Sequence, residues 1–156
     1  MPRVHHVKRA RRDNSAVKKG EEYWWVRHKT GPASGFTVRF ARPPKQSELT
    51  QSSFYQKIYE LAEGIDESDD PEQLQSRLCD ELRELADELQ GSKDNLPEQL
   101  QEAEGGTGGL LTERIEAVES AISDIEGLSV PDEDSEEYED ELSDFVQAIS
   151  DAINSI

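Results

Sequence analysis

The residues of this chain best suited to chemistry are ones that stack and ones that bind anions. Tyr23, Trp24 and Trp25 stand in succession, Arg27 follows closely, and Thr37, Val38, Arg39 and Phe40 repeat the mixture of aromatic, β-branched and cationic types. An aromatic ring offers its face to a nucleobase, and such stacking contributes about 1–3 kcal/mol per base. A guanidinium carries permanent charge and a planar fork of N–H donors, which suits phosphate. Ahead of these lies a compact run of cations, Lys8, Arg9, Arg11 and Arg12, followed by Lys18 and Lys19. Clustered cations bind a polyanion by displacing its condensed counterions. The candidate nucleic-acid-binding set is therefore Lys8, Arg9, Arg11, Arg12, Lys18, Lys19, Tyr23, Trp25, Arg27 and Arg39. The competing reading buries both tryptophans against helices, makes the arginines guards of an edge strand, and folds the basic arm onto acidic chain.

Bond-making chemistry finds no such support. His5 and His6 are adjacent and His28 is the one further histidine, whereas zinc favours Cys and His in spaced pairs. Cys79 is flanked by Asp80 and Glu81, which disfavour a thiolate. The cluster Gly105-Gly106-Thr107-Gly108-Gly109 lacks the Lys-Ser/Thr ending of a phosphate loop and no strand pattern precedes it, so it reads as a connector with Thr107 as helix cap. Calcium loops fail as well. Counted from Asp132, the glycine position holds Glu137 and the final glutamate position holds Ser143; counted from Asp66, they hold Pro71 and Arg77. The expectation is a protein without catalytic residues, metal or cofactor.

The elements that must position the stacking residues follow from periodicity. Two runs flank Gly31-Pro32-Ala33-Ser34-Gly35, which is a hairpin signal over residues 23–42. Alternation puts Trp24, Val26, Phe36, Val38 and Phe40 on one face and Tyr23, Trp25, Arg27, Thr37 and Arg39 on the other. Two strands alone are marginal, so the Trp24 face is expected to pack and the Trp25 face to remain for recognition. Residues 1–22, with little to bury, read as a flexible basic arm. Pro43 and Pro44 open a linker over residues 43–49, with Ser47 or Thr50 as a helix cap.

Beyond the linker the apolar period becomes that of a helix. Phe54, Ile58, Leu61 and Ile65 form one stripe, and Leu74, Leu78, Leu82, Leu85 and Leu89 a second. Asp70, Pro71 and Gln73 supply the second helix with cap, first turn and capping partner, and Gly91 its stop. A short turn or helix is expected near residues 96–102. Leu111, Ile115, Val118, Ile122 and Ile125 make a third long stripe ended by Gly127, and Tyr138, Leu142, Phe145, Ile149 and either Ala152 or Ile153 a fourth. Narrow stripes must pack on one another, as an antiparallel bundle or as a longer coiled coil in an oligomer. The predicted fold class is mostly α: an antiparallel bundle of about four helices over residues 50–156, with an N-terminal basic arm and a β-hairpin.

Charge divides the chain in the same place. Residues 1–47 hold twelve Lys/Arg and three Asp/Glu, a net +9, whereas residues 48–156 hold five and thirty-two, a net −27. Such a split assigns one part to a polyanion and the other to solvation or to a basic partner. Carboxylates spaced along rigid helices can also imitate duplex phosphates, which would make the tail an inhibitor of a basic host protein. With one cysteine no intramolecular disulfide forms. No apolar run approaches the ~18 residues of a membrane span and no signal h-region is present, so a soluble, cytoplasmic protein is expected.

The stretches Met1-Pro2-Arg3-Val4-His5-His6-Val7-Lys8, Tyr23-Trp24-Trp25, Leu49-Thr50-Gln51-Ser52 and Asp94-Asn95-Leu96-Pro97-Glu98 resemble a group of small bacteriophage and prophage proteins. The resemblance implies a phage setting inside a host cell and carries over no functional residue. Within that setting the readings are a nucleic-acid-binding or adaptor protein, an acidic inhibitor of a host DNA-processing or defence protein, and a structural phage protein whose helices form a homo-oligomer.

Overall fold

A computed structural model describes residues 2–29, 31, 33–66, 69–101 and 106–156. Pro32 of the hairpin turn and Gly105 of the glycine cluster lie outside the described residues. The chain is mostly helical with a small antiparallel sheet of three strands. It divides into two units, residues 1–60 and Leu61–Ile156. The first holds thirteen Lys/Arg against five Asp/Glu, a net +8, and the second four against thirty, a net −26.

Unit 1 is built on β1 (Val4–Val7), β2 (Tyr23–Arg27) and β3 (Thr37–Phe40), with β2 in the middle. The expected two-stranded hairpin is thus β2 and β3 of a larger sheet, and β1 comes from the stretch expected to be an arm. Val4 pairs with Val26, His5 with Trp25, His6 with Trp24 and Val7 with Tyr23. This strand has no sustained apolar pattern. What holds it is the ladder to β2, which satisfies backbone groups, and the stacking of two imidazoles on two indoles, each pair worth about 0.5–1.5 kcal/mol beyond burial.

The ladder continues past the strand ends, where Ala10 N–H donates to Glu21 O at 2.7 Å and Gly20 N–H donates to Ala10 O at 2.9 Å. Ala10 is 4% exposed. Between these bonds the basic segment turns on Asn14, whose side-chain oxygen accepts from the N–H of Ala16 at 2.9 Å and of Val17 at 3.2 Å. An Asn side chain bonded to backbone just ahead of it replaces a backbone turn. Gly20 has φ +99°, a conformation that only glycine adopts without strain.

The β2–β3 connection closes where Gly35 N–H donates to His28 O at 2.9 Å, and Gln51 Oε1 pins it by accepting from Ala33 N–H at 2.8 Å. Phe36, expected on the apolar face, lies before β3 and is 68% exposed, because the connection runs one residue past Gly35 before the strand begins. After β3, Glu48 takes both guanidinium nitrogens of Arg42 at 2.9 Å and the N–H of Lys45 at 2.8 Å. Ser47 begins a 3₁₀ turn ending at Leu49. Helix α1 (Ser53–Glu63) starts later than Ser47 or Thr50 would have it. Thr50 is extended, and its hydroxyl accepts from the N–H of Ser52 at 3.2 Å, so residues 50–52 delay the helix.

Unit 2 holds α2 (Pro71–Asp94), α3 (Glu98–Gln101), α4 (Thr107–Glu126) and α5 (Tyr138–Asn154). Asp70 caps α2 by accepting from Gln73 N–H at 2.9 Å, with Pro71 as first residue. Leu74, Leu78, Leu82, Leu85 and Leu89 are all buried, and so is Cys79 beside them. The helix runs through Gly91 to Asp94, and Asn95 ends it by donating its side-chain amide to Gly91 O at 2.8 Å. An exposed glycine costs a helix only about 1 kcal/mol and is no stop without a cap after it. Helix α2 packs on α4, and α4 on α3 and α5. Gln75 of α2 donates to Ile125 O and Leu128 O, at 2.7 and 3.1 Å, and so satisfies carbonyls at the α4 C-terminus. Thr107 is the first residue of α4 and not its cap, which falls on Gly106 with no side-chain bond. Ile115, Val118, Ala121 and Ile125 are the buried α4 stripe, with Leu111 and Ile122 half-buried, and Phe145, Ile149 and Ile153 the buried α5 stripe.

Candidate nucleic-acid interface

Every candidate residue lies in unit 1, and its sheet sorts them by face. Alternation along β2 places Tyr23, Trp25 and Arg27 on one side, and the β2–β3 register sets Trp25 opposite Arg39 and Arg27 opposite Thr37. The same side receives His5 and Val7 from β1. One row across the sheet therefore reads His5, Trp25, Arg39: an imidazole, an indole and a guanidinium on strands about 4.8 Å apart. The His5 ring lies on the Trp25 ring, with centroids 4.1 Å apart and planes 8° from parallel. On the other face His6 stacks on Trp24 at 4.5 Å and 6°. His6 also meets Glu22, at 3.1 Å.

Among the described residues of this unit, one smaller and one larger concavity open beside the sheet. The smaller, of about 420 Å³, is lined by Arg9, Arg11, Arg12, Tyr23 and Arg39 together with Val7, Ala10 and Asn14. Half of the sequence-derived set thus meets in one place. Residues 9–12 reach it because the Ala10 ladder bonds and the Asn14 turn hold the basic segment against the end of β2. Four arginines and a tyrosine lining one concavity favour oxyanions, since each guanidinium offers charge-assisted donors.

The larger concavity, of about 750 Å³, is lined by Trp25 and Arg27 from that set. Its remaining walls are residues outside the sequence-derived nucleic-acid-binding set: Arg3, His5, His28, Lys29, Gln51, Tyr55 and Tyr59 among them. Tyr55 and Tyr59 stand one helical turn apart on α1, ring centroids 6.3 Å apart, and Tyr55 meets Phe54 edge-on at 5.1 Å. His28 is buried at 6% exposure. The signal for His5 and His6 was present as Val4-His5-His6-Val7, a run that mirrors Tyr23–Val26 residue for residue once paired. Only the pairing reveals it.

Lys8, Lys18 and Lys19 are exposed and line neither concavity. The backbone N–H of Lys18 donates to Glu21 Oε2 and that of Lys19 to Asp13 Oδ1, each at 2.7 Å, so acidic side chains fix this part of the loop through its backbone.

Among the described residues no group of three or more His, Cys, Asp or Glu side chains is placed to hold a metal ion. Burial pushes the Cys79 thiol up, and the charge of Glu126 raises it further. No helix among the described residues is long and apolar enough to cross a membrane. Compared with protein-family models, curated proteins and solved structures, the chain has no match.

Proposed function

We propose that this chain is a non-enzymatic nucleic-acid-binding or adaptor protein, acting in the cytoplasm of a phage-infected host cell. Unit 1 makes the contact, and the helices of unit 2 serve as an antiparallel-bundle scaffold that can mediate homo-oligomerisation. One observation carries this reading: Arg9, Arg11, Arg12 and Arg39 line a single concavity with Tyr23, on the sheet face that also presents Trp25 and Arg27. Phosphates would lie on the arginines and bases on the rings, with Lys8, Lys18 and Lys19 adding outer phosphate contacts.

Fluorescence anisotropy with a labelled oligonucleotide tests it. If the four arginines neutralise four phosphates of a single strand, raising salt from about 50 to 200 mM weakens binding about 50-fold. Replacing all four by alanine flattens that dependence and leaves helical ellipticity intact. Full-length protein that ignores nucleic acid at low salt refutes the reading.

A second reading rests on unit 2, where thirty carboxylates stand against four cations. On that view the helices occupy the nucleic-acid groove of a basic host protein as a mimic. It requires the chain to inhibit such a protein, with added nucleic acid competing. A host nuclease unaffected at micromolar concentration counts against it.

A further inference from the structure

The larger concavity differs in kind from the arginine-lined one, and the difference bears on which nucleic acid fits. A duplex presents phosphates outward and keeps its base faces stacked, so a site for duplex needs cations and no deep aromatic walls. The smaller concavity, with four arginines and Tyr23 as the one aromatic among its lining residues, comes nearer to that description. The larger has aromatic walls on two elements, Trp25 with His5 on the sheet and Tyr55 with Tyr59 on α1. Its volume of about 750 Å³ falls in the range of small-molecule sites. Arg3, Arg27 and Lys29 line it too, so an aromatic group entering there can bring an anion with it. Rings plus cations in one cleft of that size match a nucleotide whose base has left the stack. On the same sheet face, Tyr23 at the smaller concavity and Arg27 at the larger lie four residues apart along β2, roughly 13 Å. A strand several nucleotides long can therefore occupy both.

We infer that the cleft between β2 and α1 takes one unstacked base of a single strand, with its phosphate on Arg3, Arg27 or Lys29, and that this protein prefers single-stranded to duplex nucleic acid. The inference rests on the proposed nucleic-acid function and adds its substrate class. Ribose and deoxyribose strands share the chemistry.

The test measures binding of full-length protein to oligo(dT), to oligo(U) and to a duplex of equal length at one salt concentration. Single strands are expected to bind at least tenfold tighter than duplex, and the ratio of the two single strands tells RNA from DNA. Tyr59→Leu is expected to cut the single-strand preference about tenfold, and Tyr59→Phe, which keeps the ring, to preserve it. The two indole N–H resonances of the unaltered protein give a second reading: saturating oligo(dT) should move that of Trp25 and spare that of Trp24. Equal affinity for duplex and single strand, or an unmoved Trp25 resonance, overturns the cleft assignment and leaves the broader function standing. Absence of binding to any of the three overturns both.

Discussion

Two residues show how local geometry sets measurable quantities. Partial desolvation raises the pKa of Glu48, but the Arg42 guanidinium, the Lys45 N–H and both cationic charges outweigh it, so the carboxyl titrates below its ordinary range. A carboxylate depressed on folding stabilises the fold above its unfolded pKa of about 4.3 and loses that contribution as pH falls through the lower folded value. Carbon-detected titration should therefore find the Glu48 pKa below the ordinary glutamate range, and Arg42→Ala should move it back up toward that range. Because the pair is half exposed, the loss near neutral pH is expected to stay below about 1 kcal/mol. Glycines offer a sharper contrast. A methyl group at Gly108 would run into the carbonyl oxygens of Leu100 and Gln101, 2.5 Å from the latter, so Gly108→Ala forces α3 and α4 apart. At Gly91 nothing lies within 4 Å. Urea denaturation should show Gly108→Ala destabilised by about 1–3 kcal/mol and Gly91→Ala stabilised by about 0.5–1 kcal/mol.

At the scale of elements, β1 is the informative case. Its register sets His5 and His6 on Trp25 and Trp24, so replacing both histidines by alanine removes two ring pairs while keeping the ladder. The expected result is a loss of about 1–3 kcal/mol in unfolding followed by tryptophan emission, with far-ultraviolet ellipticity little changed because the long helices lie in unit 2. This element also marks the boundary of what the chain discloses by itself. Helix α2 was legible from Asp70 through Leu89 because cap, proline and leucine spacing are all local. The faces of β2 were legible from alternation. Strand β1 was not, since its stability comes from residues some twenty positions away, and the cleft was not, since Tyr55 and Tyr59 join Trp25 only through the fold. The glycine cluster misled for the opposite reason. Gly108 is small because a backbone passes beside it, and packing of that kind leaves no periodic trace.

For the whole molecule, the governing fact is a +8 unit covalently joined to a −26 unit. Opposite charges on separate copies attract over about 10 Å at 0.1 M salt and farther in dilute buffer. Sedimentation should show self-association near 20 mM salt that disperses above about 300 mM; a monomer at every ionic strength would show that the two charge sets do not meet between copies. The same molecule carries Arg11, Arg12, Lys18 and Lys19 in a loop closed at both ends, Ala10 being bonded to Gly20 and Glu21. Trypsin cutting after Arg11 or Arg12 would sever the chain without releasing either piece, since β1 stays paired with β2. The nicked protein would run as two fragments when denatured and as one when native. The N-terminal strand would thereby become an exchangeable peptide, and a synthetic version carrying a label could be fitted into the sheet in its place.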